Sequence, residues 1–209
     1  MLLEQRITIN ELPKAVRQLE IEPVDVNKMK LIYENNGASL IEIIIETNMQ
    51  SINLFAEHML TLIGLEKSNI GSTENGISIL ETFWKEKINT DGLHINDGSG
   101  LSRTNAISAQ HYISLLEYMN KSKYAVEYKK SLPIAGVSGT LKSVCKGQSA
   151  QNRMYAKSGT MSRIKSYAGY IDGKSGKKYA FELITNNYEC SATAMRQKME
   201  SVFNAIANQ

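Results

Sequence analysis

The 209-residue chain carries 24 Lys and Arg against 21 Asp and Glu, a net charge of +3, with 42% hydrophobic residues and 22% charged residues. That is the composition of a folded globular chain and excludes a disordered tail, a collagen or a coiled coil. The charge is too small and too scattered for a nucleic-acid partner. Two cysteines, Cys145 and Cys190, exclude a disulfide scaffold, and with His58, His94 and His111 they offer no zinc-type spacing.

No apolar run approaches the ~20 residues that a membrane span needs. Met1-Leu2-Leu3-Glu4 lacks the basic start, apolar stretch and small-residue cleavage site of a signal peptide. Leu2, Leu3 and Ile7 read as chain interior, so the chain is expected to be a piece of a longer protein. Residues 1–37 are weakly patterned and close on the turn signal Asn35-Asn36-Gly37. Ser39 followed by Glu42 is a capping box, and Ile41, Ile44 and Ile45 share the face of a short helix ending near Thr47-Asn48. A second helix follows Ser51. Its apolar positions Ile52, Phe55, Ala56, Met59, Leu60 and Ile63 keep a three-four spacing, and Gly64 suits its C-terminal cap.

A third helix is expected over about Ile77 to Lys87, with Trp84. Residues 90–106 read as loop, and Ser108 can cap a fourth helix bearing Ile113, Leu116 and Met119. A short β-compatible stretch, Arg153–Lys157, precedes two strands, Ser166–Asp172 and Lys178–Thr185, joined as a hairpin through Gly173-Lys174-Ser175-Gly176. Ser191 caps a last helix whose Met195, Met199, Val202, Phe203 and Ile206 share a face. Helices, then strands, then a closing helix indicate an α+β architecture, a helical region beside an antiparallel sheet.

Three features could carry chemistry, each weak alone. Ser51-Ile52-Asn53 sets a hydroxyl and an amide two residues apart where they can share a cleft; on its own, helix capping is the favoured explanation. Lys157-Ser158-Gly159-Thr160 joins a fixed positive charge to two hydroxyls and a glycine that lets a ligand approach the backbone, which suits a carboxylate on an extended peptide. Lys174-Ser175-Gly176 repeats part of this pattern but reads as turn chemistry. In Asp97-Gly98-Ser99-Gly100-Leu101-Ser102-Arg103 the aspartate is expected to shape the loop rather than react. His58 lies beside Glu57 on a helix with no third metal ligand, and the two cysteines read as separate, half-buried thiols.

In order along the chain the three features are more specific. Ser-x-Asn, then Asp-Gly-Ser-Gly-Leu-Ser, then Lys-Ser-Gly-Thr before a hairpin and a C-terminal helix resembles the class C low-molecular-mass penicillin-binding proteins, the D-alanyl-D-alanine carboxypeptidase/endopeptidases. The resemblance runs from about Ser39 to the end and includes Ser51–Glu57, Leu132–Leu141 and Ser166–Tyr170. It implies the C-terminal part of a penicilloyl-transferase, β-lactamase-like fold over residues 38–209, with 1–37 as the exit from inserted domains. It also implies an extracytoplasmic or periplasmic parent protein that cleaves peptidoglycan stem peptides ending in D-Ala-D-Ala through an acyl-enzyme and binds β-lactams; no cofactor or metal is expected.

By that resemblance Ser51 relays a proton and Asn53 holds the substrate amide. Lys157 supplies positive potential, Ser158 and Thr160 bind the terminal carboxylate, and the Thr160 N–H forms half of the oxyanion hole. The family's Ser-x-x-Lys should precede Ser51. Residues 1–50 hold one serine, Ser39, with Glu42 where the lysine should stand. Ser143 with Lys146, Ser162 with Lys165, and Ser175 with Lys178 fit the spacing but come too late; the first is read as a local helix. The chain alone is therefore expected to be inactive, with an open sheet edge that invites self-association. The alternative is a non-catalytic relative that binds cell-wall peptide or a partner. A class A β-lactamase fits less well, given the insertion implied before residue 38 and the Asp97–Ser102 segment.

Overall fold

The computed structural model describes residues 26–209, and backbone contacts divide the chain into two units at Gly37 and Ala38. In the first unit the described residues form a 3-10 turn at Val26–Lys28 followed by irregular chain. The expectation of chain interior at Leu2, Leu3 and Ile7 falls outside the described residues. The second unit runs α1 (Leu40–Gln50), α2 (Asn53–Ser68), α3 (Thr73–Lys85), α4 (Ala109–Lys121) and α5 (Ala125–Ser131). It continues through β1 (Met154–Met161), β2 (Ile164–Asp172) and β3 (Lys178–Asn186) to α6 (Ala192–Ala207). The three strands are antiparallel in the order β1-β2-β3.

Each sheet face packs on helix. On one face Met154, Ala156, Tyr167, Ile171 and Phe181 meet Met199, Phe203 and Ala207 of α6. The Tyr167 and Phe203 rings stand edge to face with centroids 5.3 Å apart. On the other face Tyr170 packs with Leu116 of α4 and Leu132, flanked by Tyr155, Ala168 and Ala180. The Tyr170 hydroxyl donates to the Leu116 carbonyl at 2.7 Å in this buried layer. Tyr170→Phe removes that bond and strands the acceptor. A loss of about 1–2 kcal/mol is expected in urea unfolding; an unchanged midpoint would show that the bond is dispensable.

Several boundaries differ from the sequence reading. Gly64 does not end α2, which continues to Ser68 with Asn69 as the left-handed C-cap. Gly64 is instead a point of close approach. A Cβ there would stand 2.6 Å from the Ile70 carbonyl oxygen, and one on Gly76 of α3 would overlap the Leu60 carbonyl. The two glycines let α2 and α3 pack closely. The third helix starts at Thr73, because the Ser72 hydroxyl accepts from the Asn75 N–H at 3.2 Å and so caps it earlier. β1 runs past Lys157 to Met161 because every residue of it pairs with β2. The stretch around Ser143–Lys146 is a series of turns, not a helix. α5, with no apolar periodicity, was absent from the reading. Glu42 does close on Ser39, accepting from its N–H at 2.8 Å.

Both cysteines are free. Burial, aided by the charge of Glu200, pushes the Cys145 thiol up to about 12, which leaves it unreactive. Among the described residues no helix is long and apolar enough to cross a membrane.

Candidate active site

Ser51 stands at the corner between α1 and α2, with left-handed backbone (φ 57, ψ 51) that is uncommon for a side chain other than glycine. The corner turns its hydroxyl away from any capping role; α2 has Ile52 as N-cap and no side-chain cap bond. The Lys157 ammonium donates to Ser51 Oγ at 2.7 Å across 106 residues of chain, and to the Ser158 carbonyl at 2.8 Å. Burial holds the Lys157 ammonium below its ordinary value. A desolvated cation on a serine oxygen leaves that hydroxyl's proton free to be donated outward.

Asn53 is the first residue of α2 and is exposed. It lines, with Ser51, Lys157, Ser158, Gly159 and Thr160, an open cleft of about 1210 Å³ between the helices and the β1 edge. The tertiary fold thus brings all six residues to one cleft, with direct contact between Ser51 and Lys157. The Ser158 hydroxyl bonds Thr140 Oγ1 at 3.0 Å, and Thr160 Oγ1 accepts from Lys165 Nζ at 3.2 Å. At Gly159 a Cβ would stand 2.6 Å from Ser166 Oγ, so the neighbouring strand as well as a ligand calls for glycine there.

The opposite wall is the Asp97 loop. Asp97 accepts from the N–H groups of Gly100 at 2.9 Å and Ser102 at 2.6 Å, and from the Asn105 amide at 2.8 Å. Burial alone would raise its carboxyl, but these bonds outweigh it and hold the group below the usual carboxylate value. Glu57, one turn after Asn53, fixes the loop to α2 by accepting from Gly98 N–H at 3.0 Å and Ser99 N–H at 2.9 Å. Asp97 therefore shapes the wall. The lining residues that had no role in the sequence reading include Thr140, Arg196 and Glu182. Glu182 carries a readable signal, a carboxylate on the inward-facing register of β3 between Ala180 and Ile184.

The model of the D-Ala-D-Ala carboxypeptidase 3 (S13) family matches residues 18–209. The chain belongs to this S13 family. The match starts 20 residues or so before the motif-bearing part and takes in much of the stretch that shows no motif of its own. A curated relative, the D-alanyl-D-alanine carboxypeptidase of Actinomadura sp. (strain R39), is 33% identical over 172 residues, covering 79% of this chain and 32% of its own length. The S13 chain in hand thus spans about a third of that curated relative. Penicillin binding protein 4 from Haemophilus influenzae superposes with a TM-score of 0.75 at 22% identity, over 80% of this chain and 40% of its own; it is also solved in complex with a β-lactam. A class A β-lactamase from Bacteroides cellulosilyticus superposes with a TM-score of 0.55 at 18% identity, over 81% of this chain and 64% of its own. These superpositions establish the β-lactamase-like fold, here six helices and a three-stranded antiparallel sheet.

Proposed function

We propose that this chain supplies the peptide-binding side of a serine-type D-alanyl-D-alanine carboxypeptidase/endopeptidase. In that role it holds the C-terminal D-Ala-D-Ala of a peptidoglycan stem peptide outside the cytoplasmic membrane. The carrying observation is the Lys157 ammonium on Ser51 Oγ at 2.7 Å, at the edge of a strand that also presents Ser158 and Thr160. The peptide lies along β1, its carboxylate on the Ser158 and Thr160 hydroxyls in the field of Lys157. Asn53 holds the substrate amide and Gly159 gives the ligand access to the backbone. The Thr160 N–H is one oxyanion donor. Ser51 passes a proton toward the leaving amine.

These 209 residues hold no Ser-x-x-Lys ahead of Ser51, so the acylated serine of the whole enzyme is not among them. The same absence favours a second reading, a module that binds cell-wall peptide without cleaving it. The outer edge of β3, unpaired among the described residues, offers a route to self-association.

Calorimetry with N-acetyl-D-Ala-D-Ala and its C-terminal amide tests the binding role. The acid is expected to bind at least ~10-fold tighter than the amide, because a charge-assisted contact is worth ~1.5–3 kcal/mol. Lys157→Met is expected to weaken the acid by ~10- to 100-fold on the same basis. Equal binding of acid and amide would falsify the reading. After incubation with excess benzylpenicillin the intact mass is expected to be unchanged; an adduct would mean that a serine of this chain, Ser51 first, is acylable.

A further inference from the structure

Beyond Thr160 the cleft rim carries charge that the Ser51–Lys157 pair does not use. Lys165 sits opposite Thr160 in the β1–β2 register and donates to its hydroxyl at 3.2 Å. Arg196 arrives from α6: its Nη1 donates to Ser143 Oγ at 3.3 Å, and its Nε lies 3.3 Å from Glu200 Oε1. Arg196 therefore has a counter-ion, whereas Lys165 forms no ion pair among the described residues. Burial, and after it the charge of Arg196, holds the Lys165 ammonium below its ordinary value. Lys165, Arg196, Ser143 and Thr160 all line the same cleft. Neighbouring cations with one counter-ion between them, ringed by hydroxyl donors, favour an anion in that place.

We propose that Lys165 and Arg196, with the hydroxyl of Ser143, form a second carboxylate site, so that the cleft prefers peptides whose C-terminal residue bears a side-chain carboxylate. This rests on the reading of Ser158 and Thr160 as the site of the terminal carboxylate. Lys165 bonds the Thr160 hydroxyl of that first site, which places the two carboxylates one or two methylenes apart, as in a terminal aspartate or glutamate. The partial neutralisation of Arg196 by Glu200 leaves Lys165 as the main source of the preference.

The test is calorimetry at low salt with N-acetyl-D-Ala-D-Glu against N-acetyl-D-Ala-D-Ala. The wild type is expected to bind the glutamate peptide ~3- to 10-fold tighter, the range of a partly screened charge pair. Lys165→Met should erase the difference, Arg196→Lys should keep most of it, and added salt should shrink it. Equal affinities in the wild type, or a preference that survives in Lys165→Met, overturns the proposal. If neither peptide binds, the terminal-carboxylate reading has failed and free glutarate becomes the probe. A glutarate-dependent shift of the Lys165 ε-methylene NMR signal, weakened by added salt, supports the anion site; no shift overturns it.

Discussion

Gly169→Ala is expected to destabilise the protein by about 3 kcal/mol or more, at the upper end of what overpacking costs. Gly169 pairs with Ala156 in the β1–β2 ladder and is buried. A Cβ there would overlap the Tyr155 carbonyl oxygen and stand 2.7 Å from the Ala156 Cα. Both obstacles are backbone or Cα atoms of β1, so no side-chain rotation relieves them. β1 must shift, and the next residue along it is Lys157, whose ammonium reaches Ser51. The variant should thus lose peptide binding along with stability. A drop of roughly 6–12 °C in Tm is expected for a domain of this size. Gly37→Ala is the control, since nothing lies within 4 Å of the added methyl. If the two variants melt together, the close β1–β2 approach is not real.

Glu182→Met is expected to stabilise the protein, and by more as the pH rises. Both carboxylate oxygens of Glu182 are buried without a hydrogen-bond partner among the described residues. Burial alone pushes this carboxyl up to about 8 from 4.5. Above pH ~4.5 the unfolded chain releases the proton while the folded protein keeps it. Stability is therefore lost as pH climbs from ~4.5 to about 8 and is level beyond. The full difference corresponds to ~4–5 kcal/mol, and because the residue keeps some solvent contact, screening leaves about 1–3 kcal/mol. Methionine has similar length and no charge to bury. Urea unfolding at pH 4.5 and pH 8.5 should show little gain at the first and the whole gain at the second. A gain that does not vary with pH would mean that Glu182 ionises normally. The Tyr112 phenol gives an independent readout, since burial and then the Glu182 charge raise it above its ordinary value. In Glu182→Met it should titrate lower.

The order of elements, and with it the fold class, was legible because strongly periodic segments keep one structure in most surroundings. The α6 face of Met195, Met199, Phe203 and Ile206 meets the sheet as its spacing required, whereas Val202, expected on the same face, is exposed. The Lys178–Asn186 strand and its hairpin follow from alternation and turn residues. Local chemistry also predicted the Ser39–Glu42 contact and the loop-shaping role of Asp97. The failures have a common cause. Gly64 looked like a helix end because glycine favours left-handed caps, whereas its actual use is the approach of α3, 11 or more residues away in sequence. The extension of β1 through Gly159 and Thr160 comes from pairing with β2, and α5 is held by burial of Ser131 and packing on Tyr170 rather than by its own pattern.

By itself the sequence determined the helix–strand–helix order, the residue types available for binding a carboxylate, and the absence of a nucleophile motif ahead of Ser51. Those properties are local, written in spacing and side-chain chemistry. Only the tertiary structure decided that Ser51 touches Lys157, that Glu57 pins the opposite wall, that Glu182 is left without a partner, and that Lys165 and Arg196 share the rim. Each of these joins side chains whose distance depends on how helices and sheet pack, and packing answers to the sum of buried surface over the whole chain rather than to any one segment.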